Sequence, residues 1–274
     1  MLLLLFMACP PPSDADPDDS TVVTDDSTGE TDDSTDYVAC DPKTDSVSTV
    51  GIFGVVLTDE GDPVQCLRAQ FCNSACTVGD NNADGEYSVV SDEAGTGAFE
   101  IFPLTDDYSE YFVAHTFWDN APGTDTNLDI VLQKVDGGWK EMPASATPTE
   151  MGEGLTVALG SDLLSLPFGT DVDTVGAAVM SSGERLPLAD FPSSGEIVLA
   201  YTLSPFDGHA SSGMAWSIDH SSIEDGTTYE IWQMELDTTA VVYEWGSLGT
   251  ATASGTTLEG DGLTYLTTLI VVEP

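Results

Sequence analysis

The sequence predicts an all-β protein: two antiparallel β-sandwich domains behind a disordered acidic tether. Three observations lead there. Short runs rich in β-branched and aromatic residues recur from residue 48 to the end, separated by clusters of Gly, Asp and Asn. No helical 3.6-residue periodicity of useful length interrupts them. Residues 10–45 hold few side chains that could enter a core and are dominated by Asp, Ser, Thr and Pro.

The first element is the leader, residues 1–9. Met1-Leu-Leu-Leu-Leu-Phe-Met-Ala-Cys9 is an apolar run that stops at a cysteine. It is far too short to cross a bilayer core of ~30 Å as a helix. It resembles the end of a bacterial lipoprotein signal peptide, with Ala8 directly before the cysteine. That family prefers Leu three positions ahead of the cysteine; here Phe6 stands there and Leu5 one step farther. The usual basic segment is missing, which points to a start upstream of Met1. The resemblance implies that Cys9 becomes the new terminus and carries the lipid, so that acyl chains hold the protein to a membrane. Pro10 follows, where Asp would mark retention in the inner membrane. The expected location is therefore the cell envelope, as an outer-membrane lipoprotein with its body facing the periplasm or the exterior.

Residues 10–45 read as the tether. The word Asp-Asp-Ser-Thr recurs at 18–21, 25–28 and 32–35. Like charges keep such a coil open. Its length would reach ~120 Å fully extended and roughly 35 Å as a flexible coil. The repeats are read as a solvated spacer.

The first β domain is expected over 46–136. Strand signals cover Ser48–Leu57, Val64–Phe71, Glu86–Val90, Ala98–Phe102, Tyr111–Trp118 and Leu128–Gln133. Gly54-Val-Val-Leu-Thr-Asp-Glu-Gly-Asp-Pro-Val64 resembles the opening hairpin of carboxypeptidase regulatory-like domains, relatives of transthyretin and of collagen-adhesin B-type repeats. Those domains carry a turn like Asp80-Asn-Asn-Ala-Asp-Gly-Glu-Tyr87 and a later aromatic strand. The match covers roughly 85 residues and implies a β-sandwich serving as an accessory or surface module. The departure is an insertion bearing Cys66, Cys72 and Cys76, expected to staple the second strand to its neighbour. Some adhesin relatives form a Lys–Asn isopeptide bond, which needs a lysine on the first core strand. This stretch has none, so no isopeptide is expected.

A linker is expected at 137–149, from Gly137, Gly138, Pro143 and Pro148, and the second β domain at 150–274. Its strand signals are Gly154–Leu159, Val175–Met180, Glu196–Leu203, Met214–Ile218, Thr228–Met234, Val241–Trp245, Thr250–Ala253 and Thr264–Val272. Alternation places Ile197, Leu199, Tyr201 and Leu203 on one face, and sets Tyr229 and Ile231 against Glu230 and Trp232. The run from Leu263 to Val272 is apolar enough for a central strand. Leu203-Ser-Pro-Phe-Asp-Gly208, Gly226-Thr-Thr-Tyr-Glu-Ile-Trp232 and Tyr243-Glu-Trp245 loosely resemble the β-sandwich module of ankyrins, netrin receptors and tight-junction scaffolds. That resemblance implies an interaction or structural role and transfers no catalytic residue.

Charge narrows the partners. The chain holds 48 acidic and 5 basic residues, a net charge of −43. From residue 46 onward, 36 acids face Arg68, Lys134, Lys140 and Arg185, a net −32. Such a body repels phosphate backbones and anionic lipid, so nucleic acid is excluded as a partner. It attracts cations and basic protein patches; solvation is the simpler reading. Apart from Cys9, four cysteines remain: Cys40, Cys66, Cys72 and Cys76. An even number in an exported chain suggests two disulfides, with three pairings open.

Chemistry is sparse. Asp80, Asn82, Asp84 and Gly85 have the spacing of the first half of an EF-hand loop, a candidate calcium site, but Ser91 stands at the twelfth position and no helix flanks it. A turn between strands explains the same residues. Asp207, His209, Ser211 and Ser212 are close in sequence, as are Asp219, His220 and Ser221, yet neither group has the G-x-S-x-G elbow. The three histidines, His115, His209 and His220, lack metalloprotease spacing, although His209 and His220 could meet across a hairpin with Asp207 and Asp219. Trp118, Trp139, Trp216, Trp232 and Trp245 could form a carbohydrate-stacking platform; core packing is the ordinary fate of such side chains. The reading is a non-enzymatic, lipid-anchored surface protein for adhesion, scaffolding or envelope structure, with a surface protein or glycan as partner and no obligate cofactor. The alternative is an extracellular carbohydrate- or calcium-binding module.

Overall fold

The computed structural model describes residues 46–73, 75–104, 110–112, 114–135, 137–165, 173–180, 191–205, 208–237 and 242–274. The described residues form strands, turns and bends only, with no helix among them. The leader, the tether, Cys9 and Cys40 lie outside them.

In the N-terminal half, β1 (Ile52–Leu57), β2 (Leu67–Cys72), β3 (Cys76–Asn81), β4 (Glu86–Val89), β5 (Gly95–Pro103), β6 (Ala114–Asn120), β7 (Thr126–Asn127) and β8 (Ile130–Val131) follow one another. Their order across the sheet is β6-β5-β2-β3-β4-β1-β7, with β8 also on β1. The burial of β1 alternates residue by residue, with Ile52, Gly54 and Val56 on the core face, as the period of two of a strand dictates even where no polar residue marks the other face. Its neighbour on one side, β4, runs antiparallel, while β7 and β8 run parallel to it.

β3 is the hinge of this half. Cys76–Gly79 pair with β2, whereas Asp80 and Asn81 pair with β4. The change of partner folds the sheet over a core of Ile52, Val56, Leu67, Phe71, Tyr87, Phe99 and Ile101. Gly54 is needed on β1 because a Cβ there would sit 2.1 Å from the Leu128 carbonyl oxygen. Tyr87 is fully buried and its hydroxyl donates to that same carbonyl at 2.6 Å.

The C-terminal half is a sandwich. One layer holds β10 (Thr147–Gly152), β11 (Leu155–Leu159), β12 (Leu164–Ser165), β15 (Gly208–Asp219) and β18 (Thr257–Leu266). β15 is its spine, paired along one edge with β18 and along the other with β11 and β12. The second layer runs β17 (Val242–Thr252), β16 (Thr228–Asp237), β19 (Thr268–Glu273), β14 (Glu196–Ser204), β13 (Thr174–Val179) and β9 (Lys140–Glu141). Between them lies one core, with Leu155, Val157, Trp216, Ile218 and Leu258 from the first layer and Leu199, Tyr201, Tyr229, Ile231 and Val271 from the second. Each aliphatic side chain so buried contributes roughly 1.5–3 kcal/mol.

Three features depart from the sequence reading. The stretch expected as a linker includes β9, which pairs with β13, and the start of β10, which pairs with β11. The apolar run Leu263–Val272 is not one strand: β18 ends at Leu266, the chain crosses between layers at Thr267, and only β19 is central. Thr267 is fully buried at this crossing, and its hydroxyl donates to the Met234 carbonyl at 2.6 Å. Finally, a register shift between Ile197 and Leu199 turns Ile197 away from Leu199, Tyr201 and Leu203. Ile197 packs instead on the opposite face, against Ala200, Ile270 and Val272.

The second layer is therefore apolar on both faces, and its outer face meets the N-terminal half. Met234 packs with Ala98, flanked by Cys72 and Trp245. A second contact joins Phe112 and Val135 to Ala178, with Trp139 against them and the rings of Phe112 and Trp139 5.0 Å apart. Gly176 on β13 makes room for this approach, since a Cβ there would meet Val135 Cγ1 at 2.8 Å.

Candidate functional site

The residues with most chemical potential gather on the N-terminal half, at the two hairpins on either side of β3. At the β3–β4 hairpin Asn82 is 1 % exposed. Its side-chain carbonyl accepts from the backbone N–H of Asp84 and of Glu86, both at 3.0 Å, and its Nδ2 donates to the Glu86 carboxylate at 2.7 Å. The short polar side chain thus closes the turn on itself. Gly85 completes it at φ +75°, where a Cβ would also sit 2.5 Å from the Val56 carbonyl oxygen.

Of the candidate calcium ligands, Asn82 is consequently committed to its own turn, and a cation would have to compete with two N–H donors for that oxygen. Asp84 is exposed, and the Asp80 side chain lies outside the described residues. Among the described residues no three His, Cys, Asp or Glu side chains converge as metal ligands.

At the β2–β3 hairpin Cys72 and Cys76 are register partners and form a disulfide. The second strand is stapled to its neighbour, as expected for the cysteine insertion. Cys66 is also in a disulfide. It precedes β2, buried, with φ +51°, and its carbonyl accepts from Leu104 N–H at 2.7 Å.

The same outer face carries Glu100 on β5, bonded to the Gln70 side chain. Burial pushes the Glu100 carboxyl above the usual range, and the Gln70 bond only partly offsets this. Lys134 is the centre of a cluster of ion pairs: its Nζ lies 3.5 Å from Glu110, 3.6 Å from Glu60 and 3.8 Å from Asp59. It also lies 5.2 Å from the Tyr111 ring centroid, and the Tyr111 hydroxyl donates to Asp59 at 3.0 Å. A hydrogen bond to Tyr111, followed by the charges of Asp59 and Glu110, holds Lys134 above the ordinary lysine range.

No protein-family model matches the chain, and no curated protein matches it.

The candidate pairing of His209 with His220 does not form. His209 and His220 sit at or just beyond opposite ends of β15, so they do not meet across a hairpin; an extended strand separates them by roughly 35 Å. The His209 ring packs on Tyr265, 4.7 Å between centroids. His220 Nδ1 accepts from Ser222 N–H at 3.1 Å, and Asp219 accepts from the Thr256 hydroxyl at 2.6 Å. Asp207 and the His115 side chain lie outside the described residues.

The five tryptophans are dispersed rather than aligned. Trp216 is core, lying over Gly260 with its Nε1 donating to the Asp261 carbonyl at 3.3 Å. Trp118 packs on the N-terminal core and Trp139 on Phe112. Trp232 and Trp245 do share a face, each meeting Phe191 edge-on at 6.1 and 4.9 Å. Sequence reasoning missed that pairing because Phe191 lies in no strand; its only signal was an aromatic beside Pro192.

Proposed function

We propose that the chain is a non-enzymatic, lipid-anchored cell-surface protein whose β body serves adhesion, scaffolding or envelope structure. The observation that carries this reading is the Cys72–Cys76 bridge. An oxidised cross-strand pair persists where thiols are not kept reduced, outside the cytosol. That compartment agrees with an apolar leader ending at Cys9 and with an acidic stretch ahead of the body.

In this reading Cys9 carries the lipid, residues 10–45 act as a spacer, and the body faces the periplasm or the exterior from the outer membrane. The N-terminal half fits a carboxypeptidase regulatory-like module: Gly54 and Gly85, both in its motifs, stand where a side chain would strike backbone. The C-terminal sandwich is compatible with the interaction module of ankyrins and netrin receptors. The strongly negative charge favours a protein partner with basic patches or a neutral glycan over nucleic acid.

Fractionation of cells expressing the full chain tests it. The wild type is expected in the outer-membrane fraction, released only by detergent, and Cys9→Ser in the soluble extracytoplasmic fraction. Cross-linking on intact cells is then expected to capture an envelope protein or glycan. Wild-type protein in the soluble cytosol, or cross-links to no envelope component, would contradict the proposal.

A further inference from the structure

We infer that the Cys72–Cys76 bridge is a thiol-exchange site of fixed direction: an external small-molecule thiol joins Cys76, and Cys72 is the sulfur released. Among the described residues the three half-cystines differ in access. Cys66 is buried, Cys72 half-buried and Cys76 exposed. Sheet order explains the difference between the last two. Cys72 on β2 and Ala98 on β5 are register partners, and the packing of Ala98 on Met234 sets the C-terminal half over that pair. β3 lies on the other side of β2 from β5. Val78, two residues beyond Cys76 on the same face of β3, is 58 % exposed, so this face is open to water.

Exchange needs a thiolate to approach one sulfur in line with the S–S bond, from the side away from the sulfur that leaves, so access decides which sulfur is attacked. The bridge runs from β2 to β3. Attack on Cys72 would have to come from the β5 side, where Ala98, Met234 and Trp245 stand. Attack on Cys76 comes from the side away from β2, across the open face of β3. The incoming sulfur bonds to Cys76 Sγ as the bond to Cys72 Sγ breaks. The electron pair of the broken bond goes to Cys72 Sγ, which takes up the proton given by the incoming thiol. One disulfide is lost and one is made, with no net oxidation. The inference uses neither Cys9 nor the lipid, and its failure would leave the bridge, the anchor and the surface role untouched.

The tryptic peptide Ala69–Lys134 holds Cys72 and Cys76 and no other cysteine, so it reports on this bridge alone. Folded full-length protein is treated briefly with 2-mercaptoethanol, quenched in acid and digested. The first adduct is expected on Cys76, placed by fragmentation of that peptide, with Cys72 as a free thiol. Two variants, each checked for strands by circular dichroism, measure access directly through labelling of the same peptide by N-ethylmaleimide. The Cys72 thiol in Cys76→Ser is expected to react roughly tenfold more slowly than the Cys76 thiol in Cys72→Ser, and the two rates should converge in urea. The wild-type experiment needs no substitution and decides the matter if either variant fails to fold. A first adduct on Cys72, adducts shared equally between the sulfurs, exchange seen only in urea, or equal labelling of the two folded variants would overturn the inference.

Discussion

Met234 stands opposite Trp245 across the β16–β17 pair, and together they close on Ala98 of the other half. This contact and the Phe112–Trp139 contact join the two cores of the body by apolar packing. Truncating half-buried Trp245 to Ala is expected to cost about 2 kcal/mol, less than for a fully buried aromatic. Thermal melts check this: the variant should melt earlier, and its N-terminal half should become cleavable by protease before the C-terminal sandwich. Unchanged melting would mean that the two halves do not depend on this contact.

Glu100 lies on the face of β5 that carries Ala98, and burial raises its pKa. A raised carboxyl binds more protons in the folded state, so its contribution to stability falls as pH rises from the unfolded carboxyl range through the raised folded value. Glu100→Gln keeps the bond to Gln70 and removes the charge. It is expected to raise the melting temperature by a few degrees near neutral pH and to change it little near about pH 4. Equal shifts at both pH values would contradict the buried charge.

Asn82 supplies the β3–β4 turn with two accepted bonds and one donated bond. Asn82→Ala is expected to lose about 2 kcal/mol, because two turn N–H groups lose their acceptor. Melts of the wild type in calcium and in chelator should coincide if the turn stands by itself. A higher midpoint in calcium would restore the candidate cation site at Asp80, Asn82 and Asp84.

Much of this architecture was legible where local pattern and burial coincide. Tyr229 and Ile231 do enter the core while Trp232 faces outward, because β16 keeps a strict period of two there. The same rule failed at Ile197, where a register shift, invisible in composition, reverses the face. It failed again at Thr267, since a layer crossing inside an apolar run leaves no polar break to read. β9 and β10 were hidden by Gly137, Gly138, Pro143 and Pro148, whose turn chemistry masks short edge pairings. Of the site, the β2–β3 staple was foreseen from the cysteine insertion, but the buried environment of Glu100 depends on packing that no spacing reveals.

The Cys72–Cys76 bridge spans a separation of 4 residues. Closing so short a loop restrains the unfolded chain by about 2 kcal/mol. The double change Cys72→Ser and Cys76→Ser is therefore expected to lower stability by that amount in urea, with the strands retained by circular dichroism. A loss of the fold would show that the bridge does more than restrain the unfolded state.

The proposed anchor and surface role both depend on the sulfur of Cys9. Intact mass of the N-terminal peptide from envelope-purified protein reads it directly. A chain that starts at Cys9 and carries a thioether-linked diacylglyceryl group is the predicted result. A chain that still carries Met1–Ala8, with an unmodified thiol at Cys9, would contradict both the anchor and the surface role.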